Sequence, residues 1–356
     1  MKVAVLGSGN MGGSVLDHLQ KCDQVSEIVA YDPDEATRVQ VEQKFNVKTT
    51  SDLGVIWHDR EIPLVFITSP NHTHHDLVIR ALEAGKAVMC EKPIATTLAH
   101  AREVVELSER RGAFLQIGFE LRYSTLYTTI KKWIDAGLLG DVNNTHCIYV
   151  NSVADKSSWR TRRDRGGNMF GEKLSHYVDL PRWWVGSPVT QVLTVCSPNT
   201  VPYYEVRDNY HTTYQFENGA VGHLSFFTGA MNTEKPDPEK DWLGQMRDQG
   251  YELRYTIVGT RGMAQTDVYG RRLKRWDFGD SPERMTSTLV EDITWDLQDN
   301  GRYGHNTFDQ TLDIVRRVRE GRPPFTPARD SLETMRLCFA AEHSADQGRL
   351  VKLEEL

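Results

Sequence analysis

The sequence lacks the features of a secreted or membrane protein. No basic segment followed by an apolar run stands at Met1, and no apolar run of the ~18 residues that a membrane span needs occurs anywhere. The five cysteines are far apart and form no C-x-x-C pair, which argues against a disulfide framework and a zinc site. These absences predict a cytoplasmic protein that has no membrane partner.

An excess of positive charge is also missing. The formal net charge is −7, so no nucleic-acid partner is expected. A hydrophobic content of 39% and a charged content of 26% are typical of a globular chain. The 356 residues exceed one ordinary hydrophobic core, which predicts two domains.

A glycine-rich turn opens the chain. The apolar run from Lys2 to Leu6 predicts a strand, and a G-x-G-x-x-G motif separates it from a predicted helix. In that context glycines permit a tight turn and the close approach of a pyrophosphate to the helix N-terminus. A βα turn without a nucleotide is the simpler alternative. The predicted cofactor contacts in the turn are Gly7, Gly9, Asn10, Met11 and Gly12.

The cofactor that this turn predicts is NAD. A second predicted strand, residues 27–31, ends at Asp32, about 20 residues after the last glycine of the motif. A carboxylate there accepts hydrogen bonds from both ribose hydroxyls and repels a 2′-phosphate. NAD is therefore favoured over NADP.

Strands and helices continue to alternate as far as residue 117. Predicted strands at 63–68, 87–90 and 114–117 are separated by predicted helices at 74–84 and 97–111. Repeated βα units of this length indicate a doubly wound parallel sheet, the Rossmann type of α/β fold. The loop after the first of these strands, at 63–68, is expected to line the nicotinamide end of the cofactor, through Ser69, Pro70, Asn71 and His74. Its histidines follow no metal-binding spacing, so no metal is predicted.

The strand at 87–90 ends abruptly at Glu91, Lys92 and Pro93. Because ligands of open α/β sheets bind beyond the carboxyl ends of the strands, Lys92 is predicted to contact both cofactor and substrate, and Glu91 the cofactor. A solvated acid–base pair at a strand end is the plain alternative. A cis peptide bond between Lys92 and Pro93 is a further hypothesis.

The remaining two thirds of the chain have a different pattern. Alternating segments between residues 144 and 268, with a hairpin turn at 217–219, indicate a mostly antiparallel open sheet, and two helices follow. The polar segment 232–249 is predicted to be a long loop or an insertion over the site. The predicted domains are a Rossmann domain, residues 1–121, and a substrate-binding and oligomerisation α+β domain, residues 122–356.

A second chemical cluster lies in this part. If the segment is helical, Glu172, His176 and Asp179 share one face, and a carboxylate near a histidine orients the ring for general-base work. A helix with an ordinary polar stripe is the alternative. Arginines beside Trp159, among them Arg160 and Arg163, are candidates for gripping an anionic group, although a solvated basic loop is the commoner explanation.

Together these motifs resemble the Gfo/Idh/MocA family, the glucose–fructose oxidoreductase and inositol dehydrogenase group. The resemblance spans the chain and rests on the motifs at 7–12, 69–74, 91–93, 118–123 and 166–179. It implies that Lys92 and His176 form the catalytic pair, that NAD is the cofactor, and that the protein is a homodimer or homotetramer. The residue four positions before the histidine is Glu172, where inositol dehydrogenases have aspartate. Whether Glu172, Lys173 or Asp179 assists His176 is left open.

The activity that the resemblance implies is hydride transfer between a secondary hydroxyl of a sugar or cyclic polyol and nicotinamide. His176 would take the hydroxyl proton while Lys92 stabilises the developing charge on oxygen. The substrate contacts are predicted to be Lys92, Arg122, Tyr123, Trp159, Arg160, Arg163, Lys173 and His176. A redox glycosidase acting on an anionic sugar glycoside is the enzymatic alternative, and a non-catalytic NAD-sensing regulator is a third hypothesis.

Overall fold

A computed structural model describes residues 1–154, 156–230, 237, 240–296 and 300–356. The chain divides into two compact units. The first comprises Met1–Glu120, Asp164–Gly167 and Asn306–Met335, and the second comprises Leu121–Arg163, Asn168–His305 and Arg336–Leu356. The first break follows Glu120, whereas the sequence predicted residue 121, and the return of residues 306–335 to the first unit was not predicted.

A six-stranded parallel sheet forms the centre of the first unit. Its strands are β1 (Lys2–Leu6), β2 (Glu27–Tyr31), β3 (Lys48–Thr50), β4 (Leu64–Ile67), β5 (Ala87–Cys90) and β6 (Leu115–Ile117). They lie in the order β3-β2-β1-β4-β5-β6, and every pairing is parallel. This strand order confirms the predicted doubly wound α/β fold.

Helices cover the sheet because its strands are apolar on both sides. All four residues of β4 are buried, as parallel sheets require. The helices of residues 1–120 are α1 (Asn10–Gln20), α2 (Glu35–Phe45), α3 (Gly54–His58), α4 (His74–Glu83) and α5 (Leu98–Arg110). A later helix, α11 (Thr307–Glu320), joins the same core through Ile314 and Val315.

A nine-stranded sheet forms the centre of the second unit. Its strands are β7 (Val142–Ser152), β8 (Val189–Val195), β9 (Asn209–Phe216), β10 (Val221–Ala230), β11 (Glu252–Gly259), β12 (Gly262–Asp267), β13 (Arg272–Asp280), β14 (Met285–Thr294) and β15 (Val351–Lys352). Their order is β14-β13-β12-β11-β7-β10-β9-β8-β15, and only β7 and β10 pair in parallel. The predicted, mostly antiparallel sheet is confirmed.

Two strands at the edge of this sheet were not predicted. β13 and β14 pair along their whole length, yet most of β14 is exposed. A strand without a buried face has no apolar alternation, which is the signal that sequence reasoning needs. Part of the segment predicted as a loop or insertion, 232–236 and 238–239, lies outside the described residues, and a later part of it, Trp242–Asp248, forms a helix.

Further helices lie among the described residues of the rest of the chain. They are α6 (Thr125–Asp135), α7 (Arg163–Gly166), α8 (Ser175–Val185), α9 (Trp242–Asp248), α10 (Asn300–Tyr303) and α12 (Ala328–Gln347), with a π-helical turn at Phe170–Leu174. Among the residues that the structure describes, no helix combines the length and the apolar character that crossing a membrane requires.

Candidate active site

The glycine turn between β1 and α1 has the shape of a pyrophosphate cradle. Gly7 has φ +91°, and a Cβ there would lie 2.6 Å from the Cα of Ser69. A Cβ on Gly12 would lie 2.0 Å from the carbonyl oxygen of Gly7. A Cβ on Gly9, by contrast, would meet no atom within 4 Å. Two glycines thus permit close packing, while the third leaves open space at the start of α1, where phosphate oxygens are bound in such turns.

Asp32 lies at the carboxyl end of β2, next to this cradle. Its carboxylate accepts hydrogen bonds from the backbone N–H of Ser8, at 2.8 Å, and of Asp34, at 3.0 Å. Each oxygen keeps a second acceptor site, because a carboxylate has about four lone-pair positions. The carboxylate is therefore fixed in orientation and still able to accept from ribose hydroxyls, so this part of the unit fits NAD.

The loop after β4 is held by a hydrogen bond within the loop and by another to Gly166. The Ser69 hydroxyl lies 2.6 Å from that of Thr73, and the Asn71 amide donates to the Gly166 carbonyl at 3.1 Å. The predicted cofactor contact His74 has a fully buried ring. Its Nδ1 lies 2.7 Å from the Pro93 carbonyl oxygen and its Nε2 2.9 Å from that of Ser69. The ring ties two loops together, and its part in cofactor binding stays a prediction.

Glu91 and Lys92 follow β5 at the carboxyl edge of the same sheet. The Lys92–Pro93 peptide bond is cis, as hypothesised. Lys92 is half-buried, whereas Glu91 is buried, and burial raises the pKa of Glu91 to about 8 with a further contribution from Glu120. Gly118 leaves room for this carboxyl group, since a Cβ there would lie 2.9 Å from its Oε2. The catalytic candidate thus follows directly after a buried acid.

The second cluster lies on a π-helical turn that continues into α8. Phe170–Leu174 forms the π turn and Ser175–Val185 the α-helix, so the spacing from Glu172 to His176 is not that of a regular α-helix. Such turns are frequent at functional sites. Pro181 lies inside the helix without ending it, and the helix ends at Gly186 in the left-handed conformation.

The two acids of this cluster bind different arginines. Glu172, which is buried, accepts a hydrogen bond from Arg160 Nε at 2.8 Å. Asp179 accepts two hydrogen bonds from Arg122, from Nε and Nη2, each at 2.7 Å. Arg122 and Asp179 are both buried, so this is a bidentate pair inside the second unit. The pair accounts for both residues as a stabilising contact, whereas each was predicted as part of the site.

The arginine-rich segment is less available than its sequence suggests. Besides the bond from Arg160 to Glu172, Arg162 pairs with Glu205, and Arg163 Nη2 donates to the Glu205 carbonyl oxygen at 3.3 Å. Arg160 also lies over the ring of Trp159, with 5.0 Å between Cζ and the ring centroid. These arginines therefore have protein partners where the sequence suggested an anion grip.

Aromatic side chains surround the candidate base. The ring centroid of His176 lies 6.2 Å from that of His305 and 6.3 Å from that of Tyr177. Lys173 Nζ lies 5.7 Å from the ring centroid of Tyr149. His305 and Tyr149 were not predicted, since they lie far from His176 in sequence and carry no motif. Tyr123, which was predicted, is half-buried at the end of the turn Glu120–Tyr123.

The described part of the chain contains no group of three or more histidine, cysteine, aspartate or glutamate side chains arranged to hold a metal ion. In the loop that carries three histidines, His74 bonds two carbonyl oxygens. His75 contacts Asp76 at 2.8 Å and Glu103 at 3.0 Å. The histidines in these contacts serve hydrogen bonds within the first unit.

Comparison with known proteins places both parts of the chain. Residues 1–119 match the family model described as "Oxidoreductase family, NAD-binding Rossmann fold", and residues 127–265 match the "GFO/IDH/MocA C-terminal domain". The myo-inositol 2-dehydrogenase of Thermotoga maritima is 23% identical and covers 100% of this chain and 99% of its own. Inositol 2-dehydrogenase 3 of Saccharopolyspora erythraea is 26% identical, over 74% of this chain and 72% of its own.

Solved structures show the same fold. A levoglucosan dehydrogenase in complex with NADH superposes with a TM-score of 0.81, at 21% identity and over 99% of both chains. At this identity the likeness concerns the fold.

Proposed function

The chain belongs to the Gfo/Idh/MocA family of NAD-binding oxidoreductases, and from that premise we propose that it oxidises a secondary hydroxyl of a neutral cyclic polyol or sugar. The observation that carries the proposal is the position of Lys92, half-buried at the carboxyl edge of a sheet whose glycine turn fits a dinucleotide. That edge is where ligands of such sheets bind.

The proposed roles follow from the chemistry of alcohol oxidation. The reaction removes a hydride from carbon and a proton from the attached hydroxyl. Bound NAD supplies the hydride acceptor. His176 takes the proton as general base, and the Lys92 ammonium donates a hydrogen bond to the same oxygen, where negative charge develops. Glu172 and Lys173 are proposed to orient the base and the substrate, since both lie on the turn that leads to His176.

Two observations support a neutral substrate: the names of the relatives, and the protein partners that the candidate arginines already have. Two relatives are inositol 2-dehydrogenases, and a structural neighbour is a levoglucosan dehydrogenase, all named for uncharged polyols or anhydrosugars. An acidic sugar stays a prediction. The partners already bound by Arg160, Arg162 and Arg163 give it no further support.

Replacement of Lys92 tests the proposal. In Lys92→Ala we expect turnover to fall by ~10²–10⁴-fold, the usual scale for a positioned acid–base group, with NAD affinity within a few-fold of the parent. Turnover is measured from NADH absorbance with a panel of inositols and neutral sugars, and NAD affinity by calorimetry. Lys132→Ala, at an exposed lysine of α6, is the matched control. Turnover of Lys92→Ala within a few-fold of the parent would contradict the assignment.

The pairing of the two residues has its own test. If Lys92 and His176 serve the same oxygen, the turnover of His176→Ala is expected to fall by a factor similar to that of Lys92→Ala. The turnover of the double variant is then expected to fall by much less than the product of the two single factors. Fully multiplicative losses would argue that they act independently. Product analysis with glycosides added to this panel separates the two enzymatic alternatives: cleavage of the glycosidic bond without net NADH would indicate a redox glycosidase.

We also propose a cytoplasmic homo-oligomer that uses the open face of the nine-stranded sheet. Leu193, Val195 and Phe227 are 40%, 60% and 38% exposed on this sheet. They share one face, because Val195 pairs with His211, whose ring contacts Phe227. Phe227→Lys is expected to lower the mass measured by light scattering, whereas Leu350→Lys, at an exposed residue outside this patch, leaves it unchanged. An unchanged mass for Phe227→Lys would exclude this face.

A further inference from the structure

A cavity of about 370 Å³ lies inside the second unit, and the proposed chemistry does not use it. Its walls are largely aromatic and come from segments far apart in sequence. The side chains that define it are Tyr149, Tyr177, Trp242, Tyr269, Tyr303 and His305. A volume of this order is within the range of small-ligand sites, roughly 300–1,000 Å³.

The cavity adjoins His176. Two of its walls, Tyr177 and His305, have ring centroids 6.3 and 6.2 Å from that of His176. A third, Tyr149, lies beneath Lys173. His305 is exposed, whereas the tyrosines are buried. A molecule in the cavity would therefore be separated from the candidate base, His176, by a single layer of side chains.

The cavity walls offer apolar faces and neutral hydrogen-bonding groups. Among the described residues that line it there is no aspartate, glutamate, lysine or arginine, and its polar side chains besides the phenols are Asn151 and His305. Burial raises the pKa of Tyr149 and Tyr177 well above the ordinary value, so both phenols stay neutral. A charged group placed here would lose its hydration, and the described lining residues offer it no acid, lysine or arginine in exchange. The walls suit an uncharged ring, since aromatic faces pack well against apolar ring surfaces.

One wall is supplied by α9, which lies between β10 and β11. Trp242, Leu243 and Met246 from this helix line the cavity. The helix is anchored at its start, where Asp241 accepts a hydrogen bond from the Gly244 N–H at 2.9 Å and pairs with Arg271. The Arg271 guanidinium lowers the pKa of Asp241 to about 2, so the ion pair persists at neutral pH. The wall is therefore fixed before any ligand binds.

We propose that this cavity binds an uncharged ring attached to the sugar that is oxidised, so that the preferred substrates are glycosides with a ring on the far side of the linkage. This inference rests on the proposed function, because it takes His176 as the base that marks the reacting sugar. The shared chemistry is an apolar ring face, which an aromatic aglycone or a second pyranose presents.

Calorimetry on the NAD-loaded protein tests the proposal with three probes: methyl β-D-glucopyranoside, phenyl β-D-glucopyranoside and cellobiose. We expect the phenyl glucoside, cellobiose or both to bind at least ~10-fold more tightly than the methyl glucoside. A preference for the phenyl probe indicates an aromatic aglycone, and a preference for cellobiose indicates a second sugar. Equal affinities, or no binding of any probe, would overturn the proposal.

A tryptophan introduced into the cavity provides the matched comparison. Met246→Trp is expected to reduce the affinity ratio to within about twofold of unity, because its side chain fills the cavity. Arg247→Trp, one position further along the helix at an exposed site, is expected to keep the parent ratio. A ratio that survives Met246→Trp would contradict the assignment. Probes that bind as expected without any NADH from the polyol panel would instead count against the proposed oxidation.

Discussion

Asp179 in the second unit and Glu91 in the first are both buried acids, but their hydrogen-bonding environments differ. Asp179 in the second unit accepts two hydrogen bonds from the buried guanidinium of Arg122. In the first unit, Glu91 accepts a long hydrogen bond, 3.3 Å, from the Lys92 N–H, and its Oε1 has no hydrogen-bond partner among the described residues. Asp179 is paired with a cation inside the fold, whereas the burial of Glu91 lowers the stability of the folded protein at neutral pH.

The difference shows which acid has a structural role. A carboxylate with a bidentate partner is stable when ionised, and its function is complete within the unit. A buried carboxyl group with a raised pKa costs stability at neutral pH, and such groups concentrate at functional sites. Glu91 adjoins the proposed catalytic Lys92, and Asp179 follows the proposed base by three positions. We infer that Asp179 fixes α8, while Glu91 is retained for the chemistry of its neighbour.

The largest expected effect comes from breaking the matched pair. Arg122→Met leaves Asp179 buried without its guanidinium, and removing one partner of a buried pair costs about 3–5 kcal/mol. Urea unfolding followed by tryptophan fluorescence measures the loss. The double variant Arg122→Met with Asp179→Leu is expected to regain most of it, because neither charge is then buried. A loss below about 1 kcal/mol for the single variant would remove the contrast between the two acids.

Glu91→Gln tests whether the buried Glu91 carries a proton in the folded protein. The folded-state pKa of Glu91, about 8, lies above its ordinary value of 4.5. Between these values the folded protein holds a proton that the unfolded chain has released, so its stability falls as pH rises through that window. The slope from this group is at most about 1.4 kcal/mol per pH unit. Glu91→Gln is expected to remove this slope in urea unfolding at pH 5 to 8.

Glu83→Gln is the control for this prediction, since Glu83 is exposed at the end of α4. It is expected to keep the pH dependence of the parent. If Glu91→Gln also keeps it, Glu91 is ionised in the folded protein across the range, and the two acids do not differ as argued.

The sequence predicted the first unit better than the second for a physical reason. The glycine turn and Asp32 are local signals, because one short segment has to wrap a pyrophosphate and the next strand has to end at the ribose. The joining of α11 to the first core carries no such signal. Its amphipathic pattern shows that Ile314 and Val315 need an apolar partner, without showing which.

The same contrast between local signals and distant contacts applies to the candidate site. Lys92 and His176 lie in recognisable motifs, whereas the pair of Arg122 and Asp179 joins positions 57 residues apart. The cavity beside His176 is built from six separate segments, and Trp242 and His305 carry no motif that marks them. His74 stays a prediction, because a histidine in a ligand loop has the same sequence whether it serves the ligand or bonds the backbone, as its contacts with Ser69 and Pro93 do.

The smallest expected change in stability concerns Asp32, a half-buried acid whose carboxylate accepts hydrogen bonds from the backbone N–H groups of Ser8 and Asp34. Asp32→Asn replaces one acceptor oxygen with a donor that faces a backbone N–H, which is expected to lower the free energy of unfolding by about 1 kcal/mol.

The effect of Asp32→Asn on cofactor preference is larger, because the charge that repels a 2′-phosphate is gone. We expect the preference for NAD over NADP, measured as a ratio of dissociation constants, to fall by at least ~10-fold, a change of about 1.4 kcal/mol. Asp34→Asn, at the acid that caps α2 by accepting from the Thr37 N–H, is expected to keep both its stability and the preference, because asparagine caps a helix about as well as aspartate. An unchanged preference in Asp32→Asn would mean that the N–H groups of Ser8 and Asp34, rather than the cofactor, account for this carboxylate, as Arg122 does for Asp179.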